Sequence, residues 1–218
     1  MNNLFRLGAS CLTALLLSGC NSLMTDSYES IKLAVSGPEP LVTAEYVNTL
    51  DRPGLVVQLV QSEALLIRAA ESQGTAEWHG LEQMLVTQNG RVIQAAGLPD
   101  GSDVLAPMMA ADPFRGDLRT IGQVEVVRTV DYPDRFLTGI PQIASYELGP
   151  EEAIQVMGRE IQLQRLDENI SMPALDFTAT NYYWFDPATG KVIASVQHVA
   201  PGLPPMRLTE VRPAGFQE

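Results

Sequence analysis

The chain has 218 residues, with 26 acidic against 14 basic side chains and a formal net charge of −12, a balance that repels nucleic acid and anionic headgroups. Its length fits one domain with a real core and does not demand two. Two cysteines and two histidines leave little material for metal or thiol chemistry.

Met1 to Arg6 is a short polar start with one positive charge, and an apolar run from near Ala9 leads to Leu17-Ser18-Gly19-Cys20. These are the three parts of a secretory signal peptide. The run is shorter than the roughly 20 apolar residues of a spanning helix. Leu-Ser-Gly-Cys resembles the lipobox of bacterial lipoproteins, which implies cleavage after residue 19 and a diacylglycerol on Cys20. The alternative is an ordinary secreted protein whose cysteine falls there by chance. Several acyl chains, at about 0.8 kcal/mol per buried methylene, give effectively permanent anchoring. Asn21 stands where an Asp commonly retains such lipoproteins at the inner membrane, so the implied destination is the periplasmic face of the outer membrane. Losing Arg6 leaves 13 basic against 26 acidic side chains, a net charge of 13 − 26 = −13. Cys11 leaves with the signal, so no free thiol is expected, and the lipid on Cys20 is the one covalent group expected, with no cofactor or metal.

Residues 20–25 form a short tether, and 26–218 are expected to form a single β-rich domain. Asp26-Ser27 offers N-cap candidates for a helix carrying Tyr28, Ile31, Ala34 and Val35, which Gly37-Pro38 stops. A second short helix is predicted from Thr43 through Val47 and Leu50, ended by Asp51-Arg52-Pro53-Gly54. From Leu55 the texture is β: Leu55 to Val60, Ala64 to Arg68, Glu77 to His79 and Leu81 to Thr87 are short apolar stretches between turn signals. Asn89-Gly90, a strong hairpin signal, joins the last of these to Arg91 to Ala95. Gly97 to Gly116 reads as a loop, Ile121 to Tyr132 as a long strand, and Ile154 to Leu166 as another. Phe177 to Phe185, the turn Asp186 to Gly190, Lys191 to Val199 and Met206 to Val211 complete an antiparallel order without helix-length crossovers.

Catalytic patterns are missing. His79 and His198 sit in strands outside any H-E-x-x-H spacing, and there is no G-x-S-x-G elbow or phosphate-cradling Gly loop. Glu151-Glu152 and Asp167-Glu168 are adjacent pairs whose side chains diverge, read as solvated turns rather than a glycosidase pair. In Tyr182-Tyr183-Trp184-Phe185, alternation sends one pair into the core and leaves the other free to stack on a sugar or acyl chain, unless all four are covered. Trp184 or Tyr183 is expected to be exposed beside Gln197 and His198 of the returning strand, a recognition patch for a glycan or a protein.

The block Asn181 to Pro187, with Thr189-Gly-Lys-Val-Ile193 and Pro201-Gly-Leu-Pro-Pro205, resembles the YjbF/GfcB family of group 4 capsule polysaccharide lipoproteins. The helix at Tyr28 to Val35, the segment Leu41 to Leu50 and the strand pair Leu85 to Leu98 fit the same order. The resemblance implies a large curved antiparallel sheet, as a sandwich or half-barrel, with one or two short N-terminal helices. It also implies a role in making or exporting an extracellular polysaccharide, and it supplies no catalytic residues. The expected protein is a non-enzymatic accessory that binds a secretion partner or the glycan and no nucleic acid. Two rivals are a lipid-binding carrier with an apolar concavity and a glycan-modifying enzyme with two converging acids.

Overall fold

The computed structural model describes residues 41–60, 62–98 and 102–213, which lie in one packed unit beginning at Leu41. The signal peptide, Cys20, Asn21 and the helix expected from Asp26 fall outside the described residues. Thr43 caps one helical turn, α1 (Ala44–Val47), by accepting from the Tyr46 N–H at 3.2 Å. The predicted second helix is therefore present but short.

Twelve antiparallel strands follow: β1 (Gly54–Leu59), β2 (Ser62–Ser72), β3 (Thr75–His79), β4 (Met84–Gln88), β5 (Arg91–Ala96), β6 (Val104–Leu105), β7 (Val124–Tyr132), β8 (Leu137–Val156), β9 (Arg159–Met172), β10 (Phe177–Phe185), β11 (Val192–Gln197) and β12 (Met206–Val211). The mainly β, antiparallel expectation holds, and the curved sheet goes on to close. β1 pairs with β2 on one side and β12 on the other, with Gly54 opposite both Ile67 and Val211. The narrowest part of the ring is β6, which meets β7 through Leu105 opposite Asp131.

Two stretches differ from the sequence reading. The strand expected from Ile154 to Leu166 is two strands, because Met157 and Gly158 both take positive φ (49° and 75°) and turn β8 into β9. That conformation is the two-residue hairpin turn whose twist suits antiparallel strands. The loop expected from Gly97 to Gly116 contains β6 and a one-turn 3₁₀ helix, Pro113–Arg115, capped by Asp112. Asn89-Gly90 is a hairpin turn as predicted, and a Cβ on Gly90 would lie 2.5 Å from Val192 Cβ, so glycine serves close packing as well as a φ of 90°.

Alternation along each strand sends one set of side chains into the barrel. Leu55, Val57, Leu66, Trp78, Leu85, Val130, Tyr132, Met206 and Leu208 build the larger apolar cluster. A second cluster joins Tyr146, Leu166, Tyr183 and Phe185 to Phe114 and Leu118, which belong to the segment between β6 and β7. That segment plugs the barrel: the Phe114 ring lies 4.6 Å from that of Tyr183, tilted by 58°. On the outside, Val42 and Val47 of the α1 region and Met157 of the β8–β9 turn pack on Val56 and Val211.

Candidate binding cavity at the barrel mouth

Charged residues occupy inward positions at two levels of the barrel, and their fates differ. At the centre, Glu168 follows Leu166 and precedes Ile170 on the inward face of β9 and is fully buried. Arg128 Nη2 lies 2.7 Å from Glu168 Oε1, and Tyr146 Oη donates to the same oxygen at 2.7 Å. Asn181 Nδ2 and Tyr183 Oη donate to Oε2 at 2.7 and 2.8 Å. Arg128 also donates to Gln142 Oε1 at 2.7 Å and faces Asp112, which pairs with buried Arg91. Burial alone would raise the Glu168 pKa, but the charges of Arg128 and Arg91 and the bonds from Asn181 and Tyr146 hold it at about 2. Burial, then the Glu168 charge, pushes the Tyr183 phenol well above its ordinary range. Among the described residues no buried side-chain polar atom lacks a hydrogen-bond partner. The free space inside this ring is about 30 Å³, on the order of one or two waters.

The residues singled out from sequence divide at this point. Tyr183 and Gln197 belong to the central ring, and His198 flanks it with its backbone N–H donating to Asn181 Oδ1 at 2.7 Å. Gln197 is consumed by the backbone, accepting from Val92 N–H at 2.9 Å and donating to Gly90 O at 2.8 Å. Burial lowers the His198 pKa. Trp184 faces the other way, outside the barrel. The expectation of an exposed Trp184 or Tyr183 is overturned: Tyr183 is 0% and Trp184 4% exposed. Closure of the sheet encloses Tyr183, while Trp184 Nε1 donates at 2.8 Å to Glu152 of the long β8–β9 hairpin. Tyr182, half-buried, lies under Arg165 at 5.5 Å. The pairs Glu151-Glu152 and Asp167-Glu168 are likewise in strands rather than solvated turns, and Glu168 is the central buried charge.

At the end of the barrel where the β2–β3, β4–β5 and β10–β11 turns gather, a cavity of about 480 Å³ opens. Its wall holds Leu55, Ala76, Trp78, Val192 and Leu208, and its polar groups include Thr87, Ser195 and three ion pairs. Arg68 pairs with Glu71, Lys191 Nζ lies 2.8 Å from Glu210 Oε1, and Arg119 Nη2 lies 2.7 Å from Asp117 Oδ2. The plug forms one side. Its Arg119 donates to Ala188 O at 2.5 Å, and Asn89 donates to Phe114 O at 2.6 Å, so the plug is tied to two of the turns. Hydrogen bonding to Arg119 lowers the Asp117 pKa. Thr189 and Gly190 of the predicted Asp186 to Gly190 turn line this cavity, and the turn closes through Gly190 N–H to Asp186 O at 2.7 Å.

Sequence reasoning missed Arg68, Glu71, Lys191 and Glu210. A signal was present for two of them: Arg68 is in phase with inward Ala64 and Leu66, and Glu210 with inward Met206 and Leu208. Among the described residues no three His, Cys, Asp or Glu side chains converge to hold a metal ion. His79 lies on the surface, 3.9 Å from Glu77 and away from both levels.

A family model described as group 4 capsule polysaccharide lipoprotein GfcB, YjbF matches residues 28–211. The lipoprotein GfcB of Escherichia coli K12, itself described as uncharacterized, is 20% identical over 205 residues, covering 92% of this chain and 95% of the relative. The crystal structure of the hypothetical lipoprotein YmcC from Escherichia coli K12 superimposes with a TM-score of 0.69 at 20% identity, covering 88% of this chain and 97% of the other. That likeness shows the barrel fold.

Proposed function

The chain belongs to the YjbF family of group 4 capsule polysaccharide lipoproteins, and from that premise we propose that it is an accessory of capsule or exopolysaccharide secretion that works by binding rather than catalysis. In this reading the lipid on Cys20 holds it at the periplasmic face of the outer membrane, with Asn21 permitting that destination. The observation that carries the binding role is the mouth cavity, whose volume falls in the roughly 300–1,000 Å³ range of ligand sites and whose lining mixes apolar wall with polar groups.

Two features favour binding over chemistry. Each carboxylate on the cavity wall is ion-paired with a guanidinium or an ammonium, and Asp117 is held in the charged form by its hydrogen bond to Arg119, whereas glycosidic cleavage needs one acid kept protonated. The most perturbed carboxylate, Glu168, is sealed behind Tyr146, Tyr183 and Arg128 with no room for a substrate. The carrier reading finds little support, since aromatic rings and the ionic ring fill the barrel where an acyl chain would lie.

Deleting the gene and measuring surface polysaccharide tests this function. Loss of the polymer, restored by the wild-type gene but not by Cys20→Ser, is the expected result. Normal polymer in the deletion strain would overturn it.

A further inference from the structure

We propose that the mouth cavity is a saccharide site selective for an uncharged oligosaccharide segment, a refinement that rests on the binding role above. The lining carries three cations, Arg68, Arg119 and Lys191, and three anions, Glu71, Asp117 and Glu210, so its charge sums to zero inside a chain of net charge −12, with Arg212, 3.1 Å from Glu210 Oε1, outside the lining. A polyanion meets no net attraction there and must approach through an acidic field. An acyl chain would strip water from three ion pairs without replacing its hydrogen bonds.

Sugar hydroxyls suit this wall on both counts. Each hydroxyl donates to a carboxylate and accepts from a guanidinium or ammonium, so alternating charges can be satisfied by one uncharged ligand. The C–H faces of the ring then lie against Leu55, Ala76, Val192 and Leu208. Each ion pair has at least one member placed to take part: the side chains of Lys191, Glu71, Asp117 and Arg119 are 30%, 36%, 39% and 44% exposed and those of Arg68 and Glu210 11% and 12%, whereas those of the central ion pairs are 4% or less. The wall is also preformed, because Trp78 is locked by its Nε1–H donating to Thr87 Oγ1 at 3.0 Å and the plug is tied to the turns. Preorganised groups lose little freedom on binding.

The test uses the full lipoprotein in detergent, titrated calorimetrically with oligosaccharides cut from the cell's own surface polymer and separated by anion exchange into neutral and acidic pools. Neutral glucose oligomers supplement the neutral pool. Binding of the neutral pool, at least about tenfold tighter than the acidic pool, is expected. Two variants fill the cavity: Ala76→Phe from the barrel wall, and Gly116→Trp from the plug, where φ is −108° and the nearest atom to an added Cβ is Pro113 O at 3.6 Å. Either variant, once its circular dichroism matches the parent, should weaken neutral binding at least about tenfold. Equal or tighter binding of the acidic pool, no binding of either pool, or undiminished binding by the folded Gly116→Trp protein would overturn the proposal. If deletion abolishes surface polymer while the purified protein ignores the neutral pool, the saccharide site fails and the secretion role survives. Normal polymer in the deletion strain removes the role on which the site rests.

Discussion

The barrel uses the same charged groups twice, at its centre and at its mouth, with different results. Around Glu168 the ions are sealed, Tyr146, Asn181, Tyr183 and Gln142 add hydrogen bonds so that no buried side-chain polar atom among the described residues lacks a partner, and the ring links β7, β8, β9 and β10. At the mouth, the ion pairs of Arg68, Lys191 and Arg119 border open space. Burial, rather than residue type, thus separates the scaffold from the proposed binding surface. A sealed ion pair is strongly destabilising to break, whereas a half-solvated one contributes little to stability and remains available to a ligand.

Breaking the central ring should have the largest effect. Arg128→Ala leaves Glu168 buried without its nearest cation and should cost about 3 to 5 kcal/mol in urea unfolding. The acid limb follows from the same pair. With a folded pKa of about 2 against an ordinary 4.5, Glu168 contributes stability that is present above about pH 4.5 and lost as pH falls toward 2. In Arg128→Ala that loss should begin at higher pH, read as an upward shift of the acid-unfolding midpoint.

Tyr183→Phe keeps the ring in the core and removes one donor to the Glu168 carboxylate, so about 1.5 to 3 kcal/mol is expected by the same measurement. His198 gives a smaller, pH-specific signal. Its folded pKa lies below 6.5, so the unfolded chain takes up a proton that the folded chain refuses, and stability declines as pH falls through 6.5. His198→Asn should flatten that part of the stability curve. Smallest of all, Lys191→Ala at the mouth should change stability by no more than about 1 kcal/mol, because its pair with Glu210 is partly solvated. A loss at Lys191 as large as at Arg128 would erase the distinction between the two levels.

Local pattern made much of the fold legible. Apolar stretches between turn signals located β1, β10 and β12, Asn89-Gly90 marked its hairpin, and alternation assigned Tyr183 and Phe185 to one face and Trp184 to the other. β8 was hidden because its breakers are tolerated by position. Pro141 lies beyond Ile143, where pairing with β9 has ended, and Pro150 falls in the irregularity between Leu148 and Glu151. Closure was hidden for another reason, since nothing near Gly54 announces that its partner is Val211. The exposure of Trp184 depended on the course of the hidden β8, which carries Glu152 to it. The mouth was legible only in part: Arg68 and Glu210 break apolar phases, but no local pattern says that β2, β11, β12 and a distant plug bring them to one cavity.

Closure between β1 and β12 also sets a schedule for folding. A chain made from its N-terminus presents β1 early, yet one edge of β1 waits for Met206 to Val211, nearly the last residues in the described barrel. Pairings of such long sequence separation form slowly, and unsatisfied edges invite pairing with other chains. A chain stopped before Met206 would expose the edges of both β1 and β11 at once. The six residues of β12 therefore act as a latch, and their late arrival makes the interval between synthesis and closure the period in which this protein most needs protection from its own copies.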